Sequence, residues 1–125
     1  MYYLLKTEPS DYSFDDLKRE KKTVWEGVTA PAAVKFLREM KQGDQLVIYH
    51  TGSERRTVGT AKVVQVTVDD PKKPLVTISA GSVLKESLTL EELKKTKEFK
   101  DSALAKQGRL SVVPLTDAQW KLVVG

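Results

Sequence analysis

Alternating apolar and polar positions predict short strands separated by short helices. Apolar and aromatic runs at 2–5 and 46–50, and alternating apolar and hydroxyl residues at 76–80, are bounded by proline, glycine or polar turns, as strands usually are. The β-branched run 58–68 contains Gly59, which predicts a bent strand. Residues 24–28 read as an extended piece closed by Gly27, and 110–113 predict another strand, ended by Pro114. The regular strand–helix alternation of a parallel sheet is missing.

The sequence also predicts the first residues of four helices. Three are capping-box patterns, in which a hydroxyl residue is followed three positions later by an acid or amide: Ser13 with Asp16, Thr89 with Glu92, and Thr116 with Gln119. We expect the first helix to reach about Glu20 and the second about Lys97. A fourth helix is predicted from Pro31, because proline suits a first helical turn. The pattern predicts an α+β fold: a small, partly open, mixed or antiparallel β-barrel of five to six strands with peripheral short helices.

Composition narrows the function classes. The 125 residues fit one domain spanning 1–125, with 40% hydrophobic and 30% charged residues, as in globular proteins. The absence of cysteine excludes thiol catalysis, disulfides and cysteine-ligated metals, and a single histidine gives little support to a metal cluster or a serine–histidine triad. We therefore expect no cofactor and no metal. No signal peptide or membrane span is evident, so we expect a cytoplasmic protein without a membrane partner.

Candidate chemistry begins directly after the first strand. Lys6 and Glu8 share a strand parity, which predicts that ammonium and carboxylate pair on one side. Glu8 could also accept from the amine of a base. The alternative is an ordinary polar turn. An enzymatic interpretation makes Lys6 and Glu8 the acid–base pair of a small hydrolase or nuclease, and a third makes the chain a protein-interaction module.

Aromatic and basic residues offer a second kind of chemistry. Trp25, Tyr49 and Tyr12 can supply stacking surfaces for a base, although core packing is the commoner role of any single aromatic. His50 ends an apolar strand, where it is either bonded to a backbone carbonyl at the barrel rim or is a hydrogen-bond donor directed into a pocket. Arg55 and Arg56 follow it and could contact phosphate. The net charge of +4 permits a nucleic-acid partner, while the other basic clusters read as solvated faces.

Several stretches together resemble the EVE domain family. They are 6–17 (KTEPSDYSFDDL), 25–28 (WEGV), 37–44 (LREMKQGD), 49–51 (YHT), 58–64 (VGTAKVV), 70–71 (DP) and 108–112 (GRLSV), followed by Pro114 and Trp120. Their order holds over nearly the whole chain. The resemblance implies a PUA-like fold and a non-enzymatic module that binds nucleic acid, DNA or RNA, carrying a modified base such as a methylated or hydroxymethylated cytosine.

The resemblance also implies a ligand-binding set. One wall consists of Lys6, Thr7, Glu8, Pro9, Tyr12 and Ser13, a second of Trp25, Gly27 and Val28, the floor of Tyr49, His50 and Thr51, and the rim of Leu110 and Ser111. The chain departs from the family at 29–31, where Thr-Ala-Pro replaces the usual Arg-Asn and removes a cation and an amide. Thr51 stands where serine is common, which adds a methyl group at a position that could meet a base edge.

Overall fold

The computed structural model describes all residues from 1 to 125. The strands are β1 (Tyr2–Thr7), β2 (Lys22–Trp25), β3 (Gln45–His50), β4 (Arg56–Thr67), β5 (Leu75–Val83) and β6 (Val112–Leu115). The helices are α1 (Phe14–Glu20), α2 (Pro31–Glu39), α3 (Leu90–Lys94), α4 (Ala103–Lys106) and α5 (Asp117–Val124). The longest helix has nine residues, and none combines the length and hydrophobicity that crossing a bilayer requires.

The six strands form one mixed sheet in the order β2-β5-β4-β3-β1-β6. Only β1 and β3 run parallel, and every other neighbouring pair is antiparallel. The terminal strands β2 and β6 do not pair with each other, so the barrel is left open. Thr7 of β1 nevertheless lies beside β2 at a shared cavity, because the sheet curls. We call the gap between the β2 edge and the end of β1 the seam. The predicted α+β, partly open barrel is confirmed.

Burial differs between the two halves of this sheet. In β1 and β3, Leu4, Leu5, Val47 and Ile48 are all essentially inaccessible, so both faces are covered there. In β4 and β5, buried and partly exposed positions alternate along most of each strand. Since side chains alternate between the faces of a strand, one face of the β2-β5-β4 half is left open to solvent.

The predicted helix starts are confirmed by their hydrogen bonds. Ser13, Thr89 and Thr116 each cap a helix, and each receives the reciprocal bond of a capping box. Pro31 occupies the first turn of α2, where no side-chain cap is present. Strand β4 has register irregularities with both neighbours at Gly59. A Cβ at this position would overlap the ring of Phe14, so glycine lets α1 lie close to β4.

Some boundaries differ from the sequence-based expectation. Strand β2 lies earlier than predicted, because Gly27 takes a φ of 84° that ends the extended segment. Strand β6 continues through Pro114, which an edge strand tolerates since one side of it needs no backbone donor. Helix α3 ends at Lys94 instead of Lys97, and the single-turn helix α4 was not predicted, because four residues show no helical period.

Candidate functional site

An open cavity of about 550 Å³ lies at the seam. It is lined by Thr7, Tyr12, Glu20, Thr23, Val24, Trp25, Glu26 and Gly27, and we call it the seam cavity. Strand β2 provides one side, while the end of β1 and the loop after it provide the other. The volume falls within the roughly 300–1,000 Å³ typical of small-ligand sites.

Two aromatic rings shape the seam cavity. Tyr12 meets Trp25 edge to face, with ring centroids 6.1 Å apart and an interplanar angle of 84°. The Tyr12 hydroxyl donates to Glu20 Oε1 at 3.1 Å, which fixes the ring. Burial raises the pKa of Tyr12, so its hydroxyl stays protonated at neutral pH. Thr7 Oγ1 donates to the Tyr12 carbonyl at 2.6 Å and ties this loop to the end of β1.

The cavity retains unused bonding groups. The indole N–H of Trp25 has no acceptor in the protein, yet it is not sealed from solvent, since no buried side-chain nitrogen or oxygen lacks a partner. Glu26 is exposed and forms no ion pair, because the four salt bridges of the chain lie elsewhere. The cavity therefore offers one donor and several acceptors to a ligand.

The charged lining of the seam cavity is entirely acidic. Glu20 and Glu26 carry it, and no lysine or arginine lines the space. Two carboxylates favour a ligand that presents N–H donors and oppose a phosphate group at the same place. This cavity is suited to the amine edge of a base rather than to the nucleic-acid backbone.

The predicted pairing of Lys6 with Glu8 is wrong. Glu8 lies beyond β1, where the chain turns and the amides of Asp11 and Tyr12 both donate to its carbonyl. Because the chain is no longer extended there, the alternation of side chains along β1 does not place Lys6 and Glu8 on the same side. Its carboxylate instead accepts from the Ser10 amide and hydroxyl at 3.3 and 3.1 Å and from Thr51 Oγ1 at 3.4 Å.

His50 supports the same region from the neighbouring strand. Its Nε2 accepts from the backbone N–H of Phe14 at 3.1 Å, and its Nδ1 donates to Glu54 Oε1 at 3.0 Å. The backbone N–H can only donate, so the ring proton is assigned to Nδ1. The ring thus caps a free donor of α1. The predicted bond from His50 to a backbone carbonyl is wrong: the ring is held by the backbone, but it accepts from an amide. We call Glu8, Ser10, His50, Thr51 and Glu54 the loop junction.

A separate group of predicted residues lies on the other face of β1. Lys6 Nζ donates to the Gly108 carbonyl at 3.1 Å and lies 5.9 Å from the Tyr49 ring centroid. Burial lowers the pKa of Lys6 and raises that of Tyr49, while the charge of Arg55 opposes the Tyr49 shift. We call Lys6, Tyr49 and Arg55 the cation corner. No carboxylate lies within ion-pair distance of Lys6.

The other predicted residues have local structural partners. Ser111 accepts the Lys6 backbone N–H at 2.9 Å, and Leu110 is buried beside it in the core. Ser13 caps α1, Val28 packs against the core, and Pro9 is half-buried in the turn after β1. Arg56 donates to Ser87 Oγ at 2.9 Å, in a cleft separate from the one that Arg55 lines. Arg55 and Arg56 therefore do not form one patch.

Of the predicted set, the structure brings Thr7, Tyr12, Trp25 and Gly27 together at the seam cavity. Sequence reasoning missed four lining residues: Glu20, Thr23, Val24 and Glu26. Thr23 shares the strand parity of Trp25, and Glu26 lies within the recognised WEGV motif, so both had a usable signal. Nothing local in the sequence marks Glu20, which arrives through the packing of α1 against β2.

Comparison with known proteins gives consistent results. The family model of the EVE domain matches residues 1–125. Mouse thymocyte nuclear protein 1 is 28% identical over 162 aligned positions, covering 98% of this chain and 72% of the mouse protein. A solution structure of a Rhodopseudomonas palustris protein has 34% identity and a TM-score of 0.89, covering 98% of this chain and 90% of that one.

A human structure adds a ligand. The human thymocyte nuclear protein 1 was solved in complex with DNA that contains 5-methylcytosine. It superposes with a TM-score of 0.88 at 26% identity, and the match covers 98% of this chain and 95% of the human one.

Proposed function

The chain belongs to the EVE domain family, and from this premise we propose that it binds a modified base of nucleic acid in the seam cavity without catalysing a reaction. A methylated cytosine is the base we favour. The human relative's complex with 5-methylcytosine DNA supports the choice of ligand. The seam cavity supports the choice of site.

One observation carries this proposal: the seam cavity combines aromatic surface with hydrogen-bonding groups that no protein atom uses. A base that enters it can contact Trp25 and Tyr12 through its flat faces. Its amine can donate to Glu26 or to the Glu20 oxygen that Tyr12 leaves free, and its carbonyl oxygen can accept from the Trp25 indole N–H. Cytosine carries both an amine and a carbonyl, which matches this arrangement.

The phosphate of the bound nucleotide belongs outside this acidic cavity. Lys6 and Arg55 at the cation corner lie across the end of β1 from Thr7 and have no carboxylate within ion-pair distance. We assign the phosphate contact to them. Such a contact adds affinity without reading the sequence.

The enzymatic alternative loses its geometric support. A hydrolase or nuclease using Lys6 and Glu8 needs both groups at one reacting atom. Lys6 points toward Gly108 and Tyr49, whereas Glu8 is engaged at the loop junction by Ser10 and Thr51. Their hydrogen bonds therefore serve two different parts of the structure.

Fluorescence anisotropy at two salt concentrations tests the proposal. Matched oligonucleotides would carry cytosine, 5-methylcytosine or 5-hydroxymethylcytosine. We expect at least a tenfold preference for one modification, about 1.4 kcal/mol, that persists at the higher salt. Equal binding of all three by the parent protein would contradict the proposal.

A matched pair of variants ties binding to the cavity. Trp25→Phe keeps an aromatic ring but removes the indole N–H that we assign to the base carbonyl, so we expect affinity for the modified oligonucleotide to fall severalfold. Trp120→Phe makes the same change at the other tryptophan, which stacks on Tyr2 with centroids 4.8 Å apart. That control should leave the affinity unchanged. A Trp25→Phe protein with full affinity would remove Trp25 from the site.

A further inference from the structure

The open face of the β2-β5-β4 half carries a row of polar and basic side chains. Lys22 of β2 is the register partner of Ser79 on β5, and Ser79 is the partner of Lys62 on β4. Directly opposed residues of antiparallel strands project to the same face. Lys22 and Lys62 are both exposed, and two strand spacings place their backbones about 10 Å apart.

Lys41 extends this row beyond β4. It follows α2 and lines a shallow depression with Val64 and Gln65, at the irregularity of β4 that comes directly after Val63. The amide of Gly43 donates to the Val63 carbonyl at 2.9 Å, and this bond fixes the segment that carries Lys41 against β4. We call Lys22, Lys41 and Lys62 the lysine strip.

The ammonium groups of the lysine strip have no acidic partners. The chain's four salt bridges involve the N-terminus, Arg19, His50 and Lys106, and none of the three lysines. Asp44, the acid next to Lys41 in the fold, is held by the N-terminal ammonium and by the Lys41 backbone N–H. Two unpaired cations on the open sheet face and a third beside β4 are complementary to a polyanion.

We propose that the lysine strip contacts the phosphodiester backbone of the nucleic acid whose modified base occupies the seam cavity. The identity of the polyanion rests on the proposed function. The continuity between the two surfaces comes from β2, an edge strand that sends Thr23 and Trp25 to the cavity and Lys22 to the open face. A nucleic-acid strand that crosses the β2 edge can therefore contact both the seam cavity and the lysine strip.

Affinity and preference for the modified base come from two different surfaces in this proposal. Phosphate contacts are indifferent to the base and weaken as salt rises, because they act by releasing counterions. The seam cavity is acidic and contacts the base itself. The lysine strip therefore supplies affinity, while the cavity supplies the preference for the modification.

The test compares two triple variants by the salt dependence of oligonucleotide binding. The strip variant is Lys22→Gln, Lys41→Gln and Lys62→Gln together. The control variant is Lys85→Gln, Lys97→Gln and Lys100→Gln, which removes three exposed lysines that also lack ion pairs. For the strip variant, the slope of log K against log salt should become shallower by about 2 on single strands and nearly 3 on duplexes. The control slope should stay within about 1 of the parent slope.

The outcomes separate this proposal from the proposed function. A shallower slope in the strip variant, with the preference for the modified base unchanged, supports both. A shallower slope in a protein whose parent form shows no preference keeps the strip and rejects the base-reading cavity. Equal slopes for strip and control variants overturn the strip.

A vesicle-binding measurement tests the alternative polyanionic partner, an anionic lipid membrane. The parent and strip variants would be tested on mixed phosphatidylcholine and phosphatidylserine vesicles. If the parent binds these vesicles through the strip lysines while the oligonucleotide slope is unaffected, the surface contacts a membrane and the proposal is wrong.

Lysine acetylation footprinting gives a check without variants: an oligonucleotide should protect Lys22, Lys41 and Lys62, and not Lys97 or Lys100.

Discussion

The loop junction and the seam cavity lie next to each other, yet they differ in how many of their polar groups have a partner in the protein. At the junction, Glu8 accepts from Ser10 and Thr51, and both ring nitrogens of His50 have partners. At the cavity, the Trp25 indole N–H and the Glu26 carboxylate have none. The difference indicates that the junction holds the structure together and that the cavity is available to a ligand.

This contrast explains why a recognised motif does not mark a binding site residue by residue. A hydrogen bond made within the protein has to be broken before the same group can serve a ligand, and that exchange recovers little free energy. A solvated, unpaired group carries no such penalty. Variants at the junction should therefore change stability, and conservative variants in the cavity should change binding.

His50→Ala has the largest expected effect. It leaves the buried Phe14 N–H without an acceptor, which should lower the free energy of unfolding by about 2 kcal/mol. Urea denaturation measures this loss, and anisotropy should show that the preference for a modified base survives. His50→Gln, which retains an acceptor, should recover part of the stability. A stable His50→Ala protein without base preference would move His50 from the junction into the site.

Glu26→Gln should have a smaller effect, confined to binding. Removing an exposed carboxylate should weaken binding of the modified oligonucleotide by about threefold, in line with the roughly 0.2–1 kcal/mol of exposed charge interactions. The melting temperature should not change. Glu86→Gln, an exposed glutamate away from the cavity, is the control. Equal losses in the two variants would show that the loss does not come from contact at the cavity.

The smallest expected effect concerns the cap of α1. Hydrogen bonding by the Ser13 backbone N–H holds the pKa of Asp16 below its ordinary value of 3.8. Because the unfolded chain then binds this proton more readily, the stabilisation is complete above that value and disappears as pH falls through the lower, folded-state pKa. Asp16→Asn should therefore show a shallower decline of melting temperature on acidification. A decline identical to that of the parent would contradict the cap's contribution.

Much of the fold could be predicted from the sequence, because local chemistry specifies it. The three capping boxes and the turn at Gly27 depend on residues only a few positions apart, and pattern reasoning finds them. The Lys6–Glu8 pair failed because the parity rule assumes an extended chain, and the chain turns at Glu8. No rule based on spacing shows where a strand ends to within one residue.

The candidate site was harder to predict because it is assembled across the seam. Trp25 and Thr7 are far apart in the sequence and lie on strands that are not neighbours in the sheet. Glu20 joins them only because α1 packs against β2. The family resemblance included Thr7, Tyr12, Trp25 and Gly27, but it could not separate them from Ser13 or His50, whose side chains accept hydrogen bonds from the first turn of α1.

The most direct test is an NMR titration of the two tryptophan indole N–H signals with the nucleoside 5-methyl-2′-deoxycytidine. The chain has only two tryptophans, so Trp120 serves as an internal control. A nucleoside has no phosphodiester backbone and should not engage the lysine strip. If the base occupies the seam cavity, the Trp25 signal shifts in a saturable way while the Trp120 signal stays in place. A saturable shift elsewhere in the spectrum with Trp25 unmoved would contradict the assignment of the cavity.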